Sequence, residues 1–259
     1  MKRKVYEQLL EWKNQEHHKP LLLNGVRQCG KTYVLKKFGR REFDSLAYVS
    51  CDRNVNLQAI YSGDFDVARI IQGLSALTGV DIIPGKTLIF LDEVQAFPQA
   101  LEALKYFCED APEYHIAVAG SLLGVALHAG VSFPVGKVQT LRLFPMDFEE
   151  FLMAMGEEQL LKLMHSHDYE LMNAFHEKLK DLLRQYYYVG GMPEVVKAFV
   201  ENKLLNQVRS LQNEILSNYA SDFSKHAPSQ EVPRIDMVWQ SILGQLSKEN
   251  KKFVYGVLK

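Results

Sequence analysis

Between residues 20 and 145, five short apolar runs interrupt segments of helical pattern: LLLN (21–24), LAYVSC (46–51), TLIFLDE (87–93), HIAVAGS (115–121) and KVQTLRLF (137–144). Nothing else in the chain restricts its fold as much. Near-continuous apolarity in such short pieces, rich in β-branched residues, is what a central strand of a parallel sheet needs when helices cover both of its faces. Strands alternating with helical segments build βαβ units. The expected fold is therefore α/β, with a parallel five-stranded sheet and helices on both faces.

After residue 146 the strand signals stop. Leu171, Phe175, Leu179, Leu182 and Tyr186 recur at helical spacing until a glycine pair at 190–191 ends the pattern. Leu204, Val208, Leu211 and Ile215 form a second stripe, and Ile235, Trp239, Ile242 and Leu246 a third. Such stripes are first of all the core-facing sides of helices. The expected organisation is a core over 1–146 that includes an N-terminal helix, a helical domain over 147–228, and a further segment over 229–259.

A chain of 259 residues is long enough to bury a substantial core. Its 30 Lys and Arg against 31 Asp and Glu leave a net charge of -1, so global charge advertises neither nucleic acid nor a membrane surface. Cys29, Cys51 and Cys108 are odd in number and lack CxxC spacing, which argues against a disulfide framework and suits a reducing cytoplasm. The basic start MKRK is followed by no apolar stretch, and no run reaches the ~20 apolar residues of a membrane span. These features lead to the expectation of a cytoplasmic protein without membrane contact.

The first apolar run leads straight into GVRQCGKT, residues 25 to 32, which matches G-x-x-x-x-G-K-[ST] throughout. In such a loop, Gly25 and Gly30 let the backbone turn tightly, and the N–H groups of Gly25, Val26, Arg27, Gln28, Cys29 and Gly30 face phosphate oxygens. Lys31 reaches the β- and γ-phosphates, and the Thr32 hydroxyl ligates Mg²⁺. The following TYVLKKFG reads as a helix whose N-terminus lies under the phosphates. The dinucleotide pattern G-x-G-x-x-G is absent, and a plain flexible turn gives no reason for Lys31 and Thr32. MgATP is the ligand expected here.

A loop of this kind needs carboxylates nearby. In TLIFLDEVQ, Asp92 and Glu93 close a buried strand, at the edge where open α/β sheets bind ligands. Asp92 would hold Mg²⁺ beside Thr32, and Glu93 would orient or deprotonate the attacking water. The competing reading is that the acidic pair merely caps a helix starting near Phe97. Ser121 closes HIAVAGS and would contact the γ-phosphate or the water; it could equally cap a helix in LLGVALHAG. Cys29 is either a small filler of the loop or a thiol whose pKa the helix N-terminus lowers.

GVRQCGKT, IFLDEVQ, AGSLLG, PVGKVQTLRLFPMDFEEFL and GGMPEVV occur in this order, and together they resemble the bacterial and archaeal AAA-like ATPases, from about residue 2 to 259. The resemblance implies a P-loop NTPase core related to archaeal and STAND-type switch ATPases, a helical lid and the start of a winged-helix segment. It implies that Gly191 and Pro193 of GGMPE approach the nucleotide base. GGMPE can also be read as a helix stop followed by a proline in the next first turn, and the two readings are compatible. Relatives commonly carry arginine where this chain has Lys137, so any catalytic cation at that point is a point charge instead of a fork. They also continue into a further domain where this chain ends at Lys259.

The function expected from these features is a slowly hydrolysing, Mg²⁺-dependent switch or remodelling ATPase. The alternatives are a small-molecule or nucleoside kinase on the same loop, or an ATP-bound scaffold that does not hydrolyse. Expected partners are ATP, a nucleic acid or protein met through the helical and winged-helix region, and further copies of the chain. The basic runs KKFGRR (36–41) and KENKKF (248–253) offer phosphate contacts, although solvated faces explain them as well. His165 and His167 more simply decorate a helix end than bind metal.

Overall fold

The computed structural model of the chain describes residues 1–52, 54–63, 65–121, 134–227, 229–248 and 253–254, with the side chains of 223–226 outside the description. Strands β1 (Leu21–Gly25), β2 (Ser45–Ser50), β3 (Thr87–Asp92), β4 (His115–Ser121) and β5 (Gln139–Leu143) form one sheet in the order β2-β3-β4-β1-β5, with every pairing parallel. The five runs read from the sequence are these five strands, to within two residues at each end. Burial explains why the central ones are apolar throughout. Every residue of β3 and β4 is buried, whereas the edge strand β2 buries only Ala47 and Val49 and the edge strand β5 only Leu143.

Helix α1 (Val5–Lys13) and helix α2 (Lys31–Glu42) cover one face of the sheet, where Trp12, Phe38 and Phe43 pack on Leu21, Leu23, Leu88, Phe90, Ala117 and Ala119. On the other face lie α3 (Asn56–Ile60), α4 (Val67–Thr78) and α5 (Gln99–Asp110), with Leu57, Ile70, Leu74, Leu104 and Phe107 against Leu22, Ile89, Leu91, Ile116 and Val118. Odd and even strand positions thus go to different layers, as a pleated strand requires.

The helices that follow are α6 (Phe148–Ala154), α7 (Glu158–Ser166), α8 (Tyr169–Ala174), α9 (His176–Val189) and α10 (Pro193–Asn202). Leu152, Leu160 and Leu182 make a small core of their own there. The single stripe expected from Leu171 to Tyr186 is two helices broken at Phe175. Asp168 caps a separate short helix by accepting from the Leu171 N–H at 3.0 Å, and Leu171 and Phe175 are exposed. A hydrophobic stripe records spacing and not continuity: the Phe175 N–H turns back to the Met172 carbonyl at 3.0 Å, and α9 starts there without a side-chain cap. The glycine pair does end α9, and Pro193 opens α10.

The chain divides into two compact units, Met1–Val200 and Glu201–Lys259. The second contains α11 (Leu205–His226) and α12 (Val232–Leu246). Tyr219 and Trp239 stack between these helices with centroids 6.0 Å apart. Val208 and Ile215 of the second expected stripe are buried, while Leu204 and Leu246 are exposed. Residues 249–252 and 255–259, with most of the KENKKF run and the last part of the expected winged-helix start, lie outside the described residues, as does LLGVALHAG. Among the described residues no helix is long and apolar enough to cross a membrane.

Candidate nucleotide-binding site

Three strand ends meet at one edge of the sheet. Gly25 of β1 is in register with Ser121 of β4, and β4 lies between β1 and β3, whose last residue is Asp92. Two strand spacings put the β1 and β3 ends about 10 Å apart. The pleat also selects the face. Leu21, Leu23, Phe90, Ala117 and Ala119 all pack on the α1–α2 side, so Gly25, Asp92 and Ser121, each two residues beyond one of them, belong to that side too. That is the side of α2, whose first residues are Lys31 and Thr32.

The loop between β1 and α2 owes its shape to particular residues. A side chain at Gly25 would put its Cβ 2.2 Å from the Leu143 carbonyl oxygen, so the adjoining β5 allows only glycine there. Gly30 sits at φ 94° and Gln28 at φ 62°, both left-handed. The Lys31 ammonium lies over the loop and donates to the Gly25 and Val26 carbonyls at 2.9 and 2.8 Å. A phosphate held by the loop would accept from the same ammonium. Cys29 is fully buried, and burial raises its thiol pKa against the lowering influence of Lys31 and Arg3. The lowered pKa considered from the sequence is therefore corrected, and Cys29 fills the loop as a small apolar group.

Asp92 is buried, and its carboxylate accepts from the Glu93 N–H at 3.1 Å and from the Tyr48 hydroxyl at 3.3 Å. Burial first, and then the Asp92 charge, raise the Tyr48 pKa, which keeps that phenol a donor. The helix-cap reading of the acidic pair does not hold. Glu93 stands at φ 52°, a three-residue 3₁₀ turn (Val94–Ala96) follows with no side-chain cap from it, and α5 begins only at Gln99. A left-handed non-glycine residue stores strain of ~1–3 kcal/mol that its surroundings must hold. Gln95 supplies part of that hold: its amide donates to the Glu93 carboxylate and accepts from the Ser121 N–H at 3.3 Å. The oxygen donors of Asp92 and Thr32 are of the hard type that Mg²⁺ takes, and these two residues would hold it.

The GGMPE turn reaches the same loop. A Cβ at Gly30 would lie 3.8 Å from Pro193 Cγ, and one at Gly191 only 2.1 Å from the Met146 carbonyl oxygen. The Met146 N–H donates to the Gly191 carbonyl at 2.7 Å, and the Tyr186 hydroxyl to the Met146 carbonyl at 2.9 Å. The connector from β5 to α6 thus runs between the phosphate loop and the turn.

Lys137 is not brought to this edge. It precedes β5, whose first residue Gln139 pairs with Leu21 at the start of β1, so it lies at the opposite end of the strands. Its ammonium pairs there with Glu109 at 3.0 Å. His165 pairs with Glu149 at 3.0 Å. Gln95, Tyr48 and Arg3, which complete the site, were not assigned roles from the sequence. For Gln95 the signal was present in IFLDEVQ; Tyr48 could have been found from the face it shares with Ser50, the register partner of Asp92.

A family model described as an AAA domain matches residues 17–152, over half of the chain, and one described as a domain of unknown function (DUF8612) matches 180–259. No curated protein matches. Among solved structures, a Walker-type ATPase of Pyrococcus abyssi aligns with a TM-score of 0.57 at 15% identity, over 94% of this chain and 80% of that one. The structure of Drosophila ORC bound to DNA aligns at 0.43 and 13% identity, over 97% and 82%. At such identities the first likeness bears on fold alone, and it is the fold of P-loop ATPases. With the loop, the paired acids and the five-stranded parallel sheet in one arrangement, the chain belongs to the AAA domain family.

Proposed function

We infer that the chain binds MgATP and hydrolyses it slowly, as a nucleotide-dependent switch whose helical segment responds to the bound nucleotide. One observation supports this above the others: Gly25, Ser121 and the Asp92–Glu93 pair end three adjacent strands on the face that also carries the N-terminus of α2. In this reading the loop amides, Lys31 and the α2 N-terminus hold the phosphates, and Thr32 and Asp92 hold Mg²⁺, which would neutralise charge on the transferred group. Glu93 receives the proton of the attacking water, Ser121 fixes the water or the γ-phosphate, and Gln95 aims Glu93. Gly191 and Pro193 close on the base side. Lys137 would contribute to hydrolysis only toward a second copy of the chain, since its own loop is at the other edge. A nucleic acid or protein partner, met through residues beyond 147, would set the rate.

Phosphate release by the purified chain, with MgATP and with or without duplex DNA, tests the reading. Slow release that stops on chelation is expected. Tight binding with no release in any condition would make the chain a scaffold, and transfer of the γ-phosphate to an added nucleoside would make it a kinase.

A further inference from the structure

The Arg3 side chain is 6% exposed, and its donors reach two stretches far apart in sequence, the phosphate loop and residues 144–150. Nε donates to Glu150 Oε1 at 3.0 Å, Nη1 to the Cys29 carbonyl at 2.9 Å and Nη2 to the Phe144 carbonyl at 2.6 Å. A guanidinium spreads these donors over three nitrogens of a planar fork, whereas an ammonium carries its three donors on one nitrogen. The partners matter as much as the number. Cys29 and Gly30 share a peptide of the phosphate loop. In a trans peptide the carbonyl and the next N–H point in opposite directions, so holding the Cys29 carbonyl toward Arg3 turns the Gly30 N–H away from it.

Glu150 carries the other end of the connection. It is buried, it accepts from the Lys4 N–H at 2.7 Å and from the Asp147 N–H at 3.3 Å, and Asp147 accepts in turn from the Glu150 N–H at 2.9 Å. This reciprocal pair is the capping box that starts α6. Phe144 belongs to the connector between the two.

We propose that Arg3 is a positioning residue that couples the phosphate loop to the first turn of the helical segment, because one buried guanidinium holds the Cys29 carbonyl, the Phe144 carbonyl and the Glu150 carboxylate together. The inference rests on the nucleotide reading above. A phosphate that adjusts the Cys29–Gly30 peptide moves an acceptor of Arg3, and the Glu150 pairing must answer. By linkage, the state of α6 then alters nucleotide affinity by the same factor.

Hydrogen exchange with and without the slowly hydrolysed analogue MgATPγS provides the test, read beside the dissociation constant. In the wild-type chain, amides of 29–32 and of 148–152 slow together on binding. In Arg3→Lys the loop amides still respond, those of 148–152 do not, and affinity falls about tenfold. Should Arg3→Lys not fold, Glu150→Gln, which removes the charge and keeps the shape, decides by the same two readouts. Wild-type affinity together with an unchanged response of 148–152 in the variant would overturn the coupling, as would a wild-type chain that binds with no response there. A wild-type chain that does not bind the analogue overturns the nucleotide reading itself, and this inference with it.

Discussion

Glu93 and Gly191 are the residues at which the site is most exposed to contradiction. Glu93 is held in a left-handed conformation and bonded by Gln95, an arrangement that serves no helix cap. Glu93→Gln should keep nucleotide affinity and slow hydrolysis by about 10²–10⁴-fold, the span of a positioned base; single-turnover phosphate release measures it, and an unchanged rate removes Glu93 from the chemistry. Gly191→Ala would drive a Cβ onto the Met146 carbonyl. It should cost about 1–3 kcal/mol and lower Tm by several degrees, and a thermal melt that does not move would mean that the turn is not packed as described. Both residues stood in motifs visible in the sequence. The strain at Glu93 did not, because backbone conformation at a strand end depends on what the next turn packs against.

At the scale of elements, the strands were legible and the helical segment less so, for one physical reason. A central strand is buried on both faces, so its composition announces it, whereas the break at Phe175 carries no side-chain cap and leaves the apolar spacing intact on both sides. The start of β4 carries a feature that no pattern announced. His115 stacks on His18 with centroids 3.7 Å apart, Trp12 meets both edge-on, and His115 Nδ1 is buried without a protein partner. Burial, and secondarily His18, lower the His115 pKa to about 4. Burial also lowers that of His18. The folded chain therefore binds fewer protons than the unfolded chain between pH 6.5 and about 4, and this contribution, complete above pH 6.5, is lost as pH falls through that window. Urea midpoints of the wild type should drop more steeply there than those of His115→Phe; parallel curves would show that the pair does not titrate in this way.

For the molecule as a whole, sheet order does what no local motif can. It sets β4 between the phosphate loop and the acidic pair, and it sends Lys137 to the far edge. Strand order was not readable from spacing, since parallel strands are joined by crossovers that leave no record of which neighbour they reach. A consequence is that this chain lacks, among its described residues, a motif-fixed cation beside Lys31 at its own site. An arginine supplied in trans is worth ~10³–10⁵ in rate, so turnover per chain should lie well below ~10 s⁻¹ and rise with protein concentration. A fast, concentration-independent rate would contradict the proposed role of a second copy. The central claim is nearer to hand: the loop from Gly25 to Thr32 holds the phosphates of ATP through Lys31. Calorimetric titration of MgATP into the wild type and Lys31→Ala tests it most directly. The account predicts saturable binding by the wild type, weakened at least about tenfold in the variant by loss of charge-assisted bonds of ~1.5–3 kcal/mol each; equal affinity in the two proteins would contradict it.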